Sequence, residues 1–454
     1  MKSLSGNLIK NAFTCISVAI VSVTAQAQYG PVIYIDSLSN ETIVQAGTAD
    51  FNHDGKTDIL TADFHWPYDN LRLYTNQGGL QFNGQIIPGA DSLTQFMAFD
   101  TGDITNDGWP DFVATTEVSS SIIWYENSGG TFIPHLLIDS LDFATKILLR
   151  DFNNDSLLDI LALQHVEVVL YLASSPGNFN PGQVIHSGTE FYAIDVNDFN
   201  NDHFPDVSVA SGGFEVLLND GAGGFTLHSQ AGLQLMFGLQ SGDLDNDLDN
   251  DVVAYESVTG LLFYANDGNG NFTLQDTVIE SPDNFENYLI ADMDCDADPD
   301  VYTSVQQSGQ VIWCENDGTG NFSLPQLIHS QPGELIGAVA LGDLDSDGKL
   351  DLIWGNTHLG CHINQCFPST VAGDRMTDLA LYPNPSKNNF QIKNTKGCSL
   401  KVTIRDLTGK IFLTDSVSGN ENKQFSISDA GMYLVSLTFD DGTDNFVQKI
   451  VVLE

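Results

Sequence analysis

Apolar residues along this chain fall in short runs, four to a set, and the sets recur. A set begins with a segment such as Ile43-Val44, Phe96 to Phe99, Ile147-Leu148-Leu149 or Val339-Ala340-Leu341. An acidic stretch interrupts it, and a second run follows, as in Ile59-Leu60, Phe112-Val113, Ile160-Leu161, Val252-Val253 and Leu352-Ile353. A third run usually closes on an asparagine: Asn76, Asn127, Asn266, Asn316. A Gly-rich turn then leads into Phe82, Phe132, Phe179, Phe225, Phe272 or Phe322, which opens the fourth. Short β-branched and aromatic runs between Gly, Asn and Asp clusters predict strands. Four strands per unit, repeated around a ring, predict the blades of a β-propeller.

The phase of the repeat predicts how the ring closes. Pro31 to Asp36 has the character of a fourth strand but stands first, and Cys361 to Asn364 has that of a third strand but ends the last set. If the acidic stretch joins the two innermost strands, Val32 to Ile35 becomes the outer strand of the seventh blade. That closure pairs both ends of the domain and leaves no free sheet edge between them. An open stack would need capping repeats, and nothing in the sequence resembles them.

The acidic stretches align without gaps: DFNHDGKTD from Asp50, DITNDGWPD from Asp103, DFNNDSLLD from Asp151, DFNNDHFPD from Asp198, DLDNDLDND from Asp243, DMDCDADPD from Asp292 and DLDSDGKLD from Asp343. Positions one, five and nine are always Asp. One Asp-rich turn is usually only a turn. Seven with carboxylates at alternate positions are harder to explain, because two like charges 4 Å apart repel by about 4 kcal/mol at an effective dielectric of 20. A hard divalent cation reverses that penalty. Calcium accepts 6–8 oxygen ligands in flexible geometry, magnesium keeps its waters, and transition metals favour N or S, so calcium is the expected ion, in up to seven sites.

Composition agrees. The chain has 454 residues, with 60 Asp plus Glu against 16 Lys plus Arg and a net charge of -44. This excludes nucleic-acid partners and anionic membranes, which need a basic surface. With 42% hydrophobic residues it is not a disordered acidic chain. The charge is uneven: residues 28–373 hold 5 basic and 50 acidic side chains, residues 374–454 hold 9 and 10. The break marks a domain boundary.

The expected organisation is a signal peptide over 1–27, a propeller over 28–367, a linker over 368–376 and a small domain over 377–454. The signal is read from Lys2 and Lys10, the apolar stretch Phe13 to Thr24, and the small-x-small site Ala25-Gln26-Ala27. That stretch is too short to span a bilayer, and no other run in the chain is longer, so no transmembrane span is expected. In the last domain, runs such as Phe390-Gln391-Ile392, Lys401 to Arg405, Gln424 to Ile427, Met432 to Phe439 and Val447 to Val452 predict a two-sheet sandwich of the immunoglobulin kind. The fold class is all-β. Among the cysteines, Cys361 and Cys366 could close a small disulfide loop, Cys295 and Cys314 are a weaker pair, and Cys398 is left over.

The seven loops resemble the calcium-binding FG-GAP / VCBS repeats, the family that includes the integrin α-subunit propeller. In that family positions one, three, five and nine give side-chain oxygens and position seven a backbone carbonyl. The resemblance therefore implies Asp50, Asn52, Asp54 and Asp58 with the Lys56 carbonyl in the first loop, and Asp103, Thr105, Asp107 and Asp111 in the second. It implies Asp151, Asn153, Asp155 and Asp159 in the third, and Asp198, Asn200, Asp202 and Asp206 in the fourth. The fifth would use Asp243, Asp245, Asp247 and Asp251, and the sixth Asp292, Asp294, Asp296 and Asp300, with Asp249 and Asp298 as extra carboxylates. The seventh would use Asp343, Asp345, Asp347 and Asp351 with the Lys349 carbonyl. Position six departs from the pattern: Gly55, Gly108 and Gly348 match it, whereas Ser156, His203, Leu248 and Ala297 predict a different turn or weaker binding.

The C-terminal domain resembles the type A sorting domain of the type IX secretion system, through Tyr382-Pro383-Asn384-Pro385, Gly409-Lys410, Gly431-Met432-Tyr433 and Lys449-Ile450-Val451-Val452. The resemblance implies the type IX machinery as a partner and a secreted or outer-surface location. No nucleophile elbow, phosphate loop or metalloprotease helix occurs. The expected function is a non-enzymatic binding or adhesion module for a glycan or protein. The alternative is a polysaccharide lyase or hydrolase, but only Lys56, Arg72, Lys146, Arg150 and Lys349 are available in the propeller to neutralise an acidic substrate. His65-Trp66-Pro67-Tyr68 and Trp109 are candidate sugar-stacking aromatics, with core or rim packing as the plainer reading; His53 and His203 are expected to be solvated.

Overall fold

The computed structural model describes residues 29–366 apart from 38–41, 65–69, 88–95, 117–120, 139–143, 233, 281–284 and 306–307, and residues 379–452 apart from 383–388, 395–398, 407–409, 419–420, 428–430 and 440–444. The expected signal peptide and linker, His65 to Tyr68 and Cys398 lie outside the described residues.

Seven four-stranded antiparallel sheets follow one another. In the first blade the order is Thr42–Ala49, Asp58–Phe64, Asn70–Asn76, Phe82–Ile86, and the later blades repeat it. Each acidic loop joins the first strand to the second with one register throughout: Ala49 pairs with Asp58, Gly102 with Asp111, Arg150 with Asp159, Asn197 with Asp206, Gly242 with Asp251, Ala291 with Asp300 and Gly342 with Asp351. First strands face one another around the axis and are bonded across blades. Gln45 Nε2 donates to Phe99 O at 2.8 Å, and Thr48 Oγ1 donates to Leu341 O at 2.8 Å.

Second strands carry their apolar residues at consecutive positions because both faces are covered. Asp111–Thr116, Asp159–Gln164 and Asp251–Glu256 are buried along their whole length. Each apolar cluster is shared by two neighbouring blades. Phe51 and Leu60 pack with Phe112 and Tyr125, Phe152 and Leu161 with Val196 and Val207, and Ile43 and Ile59 of the first blade with Ala340 and Ile353 of the seventh. A blade cannot bury these residues alone, so the ring is the smallest unit with a complete core.

The closure matches the phase of the sequence. Ile33–Ser37 pairs antiparallel with His358–His362, Ile33 opposite Cys361, as the outer strand of the seventh blade. An isolated bridge between Tyr29 and Asn364, and a Tyr29–Tyr302 hydroxyl bond of 2.7 Å, extend the seam.

Two fourth strands begin later than expected. Phe179 lies in an extra hairpin, Ala173–Ser175 with Asn178–Phe179, and the outer strand of the third blade is Gln183–Ser187. In the sixth blade Phe322 makes only an isolated bridge, and the strand is Gln326–Ser330. Pro181 and Pro325 stand in the gaps. Proline has no N–H to give a ladder, so pairing resumes only beyond it.

The C-terminal domain is a two-sheet sandwich. One sheet orders Leu379–Tyr382, Asn389–Asn394, Asn422–Ser426, and the other Ile411–Val417, Leu400–Asp406, Gly431–Phe439, Asn445–Val452. Phe390, Ile392 and Phe425 of the first share a core with Leu400, Val402, Ile404 and Val435 of the second.

Candidate metal centres in the Asp loops

Each loop wraps its backbone N–H groups around its own carboxylates. In the first, Asp50 Oδ1 accepts from Asp54 N–H at 3.1 Å and Oδ2 from Gly55 N–H at 2.9 Å, while Asp54 Oδ1 accepts from Lys56 N–H at 3.0 Å. The bond from position seven to position five recurs in all seven loops. These bonds fix the carboxylates of positions one and five, and each of their oxygens keeps a second lone pair that a cation could take.

Position nine does something the sequence did not reveal. Its aspartate is fully buried in every loop. One oxygen accepts from the N–H of position two, as Phe51 to Asp58 at 3.1 Å, and the other from the N–H that ends the third strand, as Asn76 to Asp58 at 2.7 Å. The same pair of bonds holds Asp111, Asp159, Asp206, Asp251, Asp300 and Asp351. Burial pushes these carboxyls up, to about 6 in Asp58, Asp159 and Asp206, about 7 in Asp251 and Asp351, and about 8 in Asp300.

The asparagine that ends the third strand ties blades together. Asn127 Nδ2 donates to Phe51 O of the preceding blade at 2.8 Å, and Asn76, Asn219, Asn266, Asn316 and Asn364 make the equivalent bond to Leu344, Phe152, Phe199, Leu244 and Met293. In the third blade the residue is Ala173, and the extra hairpin supplies the missing donor: Gly177 N–H reaches Ile104 O at 3.1 Å. Recurrence of Asn at this place was the available signal.

All seven loops share one backbone. Position four has positive φ in His53, Asn106, Asn154, Asn201, Asn246, Cys295 and Ser346. Position six is positive throughout, including Ser156 (68°), His203 (72°), Leu248 (74°) and Ala297 (79°), so the turn does not change where glycine is missing. The ladder of N–H bonds to positions one and five holds those residues in a conformation they disfavour.

The loops differ in charge. Three carboxylates gather within 4.8 Å in the fifth loop (Asp243, Asp245, Asp251), the sixth (Asp292, Asp294, Asp300) and the seventh (Asp343, Asp345, Asp347). Asp243 Oδ1, Asp245 Oδ1 and Asp294 Oδ1 are buried with no hydrogen-bond partner. Burial, then the Asp247 charge, raises the Asp245 carboxyl, and burial with Asp296 raises Asp294. An orphaned carboxylate oxygen among like charges fits a hard cation, and the donor set is all oxygen. In the third and fourth loops the third-position amides instead donate to position five, Asn153 to Asp155 at 3.0 Å and Asn200 to Asp202 at 2.9 Å. Lys56 and Lys349 place their ammonium groups 2.8 and 2.7 Å from Asp54 and Asp347.

Several expected site residues make other contacts. Asp249 and Asp298, expected as extra carboxylates, also bridge blades: Asp249 Oδ1 accepts from Asn201 of the preceding blade at 2.5 Å, and Asp298 Oδ1 from Asn246 at 2.6 Å. Asp249 lies against Gly268, where a Cβ would stand 2.6 Å from its Oδ2. Thr105 donates its hydroxyl to Asp111 at 3.2 Å. Trp109 stacks on His53 at 4.1 Å, so the rim packs it, whereas the His203 side chain is 95% exposed.

The cysteine expectation is corrected. Cys295 bonds Cys366, and Cys314 and Cys361 are free and buried in apolar clusters. Asn364 on Met293 O draws the end of the seventh blade onto the sixth loop, and Cys361 points into the core instead. Packing of the seventh blade on the sixth brings together cysteines 71 residues apart, which local spacing cannot show.

Comparison with known proteins agrees with this architecture. The FG-GAP-like repeat model matches residues 50–114, 103–162, 151–209 and 292–354, and the secretion system C-terminal sorting domain matches residues 380–453. The chain belongs to the FG-GAP repeat β-propellers and carries a type IX sorting domain. That domain implies export to the cell surface by the type IX machinery. No curated protein shows significant similarity to the sequence. Among solved structures, BBS1N in complex with ARL6DN has 12% identity over 76% of this chain and 99% of its own, with a TM-score of 0.54, a likeness of fold. A lectin of Agrocybe aegerita, described as recognising non-reducing terminal N-acetylglucosamine, has 18% identity, 65% and 81% coverage and a TM-score of 0.49. PorZ, a surface component of the type IX system of Porphyromonas gingivalis, has 11% identity, 94% and 61% coverage and a TM-score of 0.49. Among the described residues no helix is long and apolar enough to cross a membrane.

Proposed function

We propose that the protein is a calcium-stiffened surface propeller that binds an extracellular glycan or protein without catalysing a reaction. The observation that carries the cation is the set of orphaned, buried oxygens on Asp243, Asp245 and Asp294, each among other carboxylates. Bound calcium would supply the positive charge these loops lack, held by positions one, three and five and the carbonyl of position seven. The chain's own contribution is to pre-form the cradle through its N–H ladder. At ~1 mM calcium and a dissociation constant near 0.1 mM, each occupied site stabilises the fold by about 1.4 kcal/mol.

Binding is favoured over catalysis because the buried position-nine carboxyls, Asp251, Asp300 and Asp351 among them, have both oxygens committed to backbone N–H groups. They are scaffolding and are poorly placed to shuttle protons. The test is an array of glycans and matrix proteins probed with the mature chain, with calcium and with chelator. Calcium-dependent capture supports the reading. Capture of nothing, together with product release from a polysaccharide panel, moves the assignment to an enzyme.

A further inference from the structure

The fourth residue of each loop has no place among the ligands, yet it is held at positive φ in all seven and reaches toward the next blade wherever its side chain is bonded. His53 stacks on Trp109, position seven of the second loop, at 4.1 Å and 11°. Asn106 Nδ2 donates to the carbonyl of Ser156, position six of the third, at 3.1 Å. Asn201 Nδ2 donates to Asp249, position seven of the fifth, at 2.5 Å, and Asn246 Nδ2 to Asp298, position seven of the sixth, at 2.6 Å, and to Gly318 O at 3.1 Å. In the sixth loop the residue is Cys295, and its link to Cys366 is covalent.

We propose that these straps couple cation binding between adjacent blades, so that the fourth, fifth and sixth loops load cooperatively; the inference rests on the calcium reading above. Position seven is the control point. Its N–H orients the fifth-position carboxylate, Asp249 to Asp247 and Asp298 to Asp296, each at 3.0 Å, and its carbonyl is the one that would hold the cation in the proposed site. A cation in the fifth loop would relieve the repulsion among Asp243, Asp245 and Asp251 and so fix the turn at Asn246. The amide of Asn246 is then aimed at Asp298 and settles position seven of the sixth loop before that loop fills. Ordering already achieved by the first ion need not be repeated for the second, which is positive coupling. The relay ends covalently at Cys366, where the ring closes.

The effect should lie near the low end of ordinary couplings, about five-fold per strap, because these amides are exposed. The test is calcium titration of the mature chain by calorimetry. Asn246→Gly removes the amide while keeping a residue that accepts positive φ, so the backbone turn is spared. Asp245→Asn disables the fifth loop and Asp294→Asn the sixth. Linkage requires that each of these two variants weaken the other loop by the same factor, about five-fold, and that Asn246→Gly abolish both effects. Circular dichroism melts in excess calcium verify that each variant is folded. Independent sites, or an Asn246→Gly titration identical to wild type, would overturn the coupling while leaving calcium binding intact. No calcium uptake at all would sink the cation reading and the coupling with it.

Discussion

Replacing Asn127 by alanine should loosen the ring without touching a proposed ligand or the apolar core. The backbone N–H of residue 127 would still reach Asp111. Three side-chain bonds would be lost: Nδ2 to Phe51 O at 2.8 Å, Nδ2 to Pro110 O at 3.0 Å, and Gly130 N–H to Oδ1 at 2.8 Å. Asn127 is fully buried, so water does not replace them readily. At about 1 kcal/mol per bond, plus a penalty for the carbonyl left bare between blades, the loss comes to about 3–4 kcal/mol. For a domain of this size that lowers the melting temperature by roughly 4–6 °C. The assay is thermal unfolding followed by circular dichroism at fixed calcium. Asn127→Asp keeps the acceptor for Gly130 but sets a carboxylate against two carbonyls, and should be at least as damaging. Thr75→Ala, which removes two exposed bonds, should melt like the wild type. If Asn127→Ala also melts like the wild type, the inter-blade role of the asparagines is refuted.

Chelation should lower the melting temperature by several degrees, with the largest loss traced by Asp245→Asn and Asp294→Asn; an unchanged melt counts against occupied loops. Cys295→Ser should cost about 2–4 kcal/mol, the usual range for a bridge closing a long loop, read by denaturant unfolding with and without reductant. A pH effect should arise at the seam. Burial, and then His362, pushes His329 down to about 4; its Nδ1 lies 3.1 Å from His362 Nε2, its ring stacks on Trp354, and His362 Nδ1 bonds Gly30 O. A histidine with a depressed native pKa favours folding fully above its unfolded value near 6.5 and loses that contribution as pH falls toward 4. The loss should reach about 2–3 kcal/mol, measured as the wild-type stability minus that of His329→Phe so that the carboxylates cancel. A difference that stays flat between pH 7 and pH 4 would show that His329 is not held neutral.

Sequence alone determined the blade count, the strand order, the Asp loops, the outer strand at Ile33 and the nature of the last domain. These are local or periodic properties: alternation, spacing and turn chemistry are written into neighbouring residues and survive repetition. What one blade does to the next is not local. The bond from Asn127 to Phe51 spans 76 residues and that from Asn364 to Met293 spans 71, so no window of sequence contains both partners. The same limit hid the pairing of Cys295 with Cys366 and the bonds that Asp249 and Asp298 accept from the preceding blade. Alternate carboxylates show that a loop is costly to leave bare. Only the packed ring decides which oxygens are spent on backbone N–H groups, because burial and neighbouring blades fix where each side chain can turn.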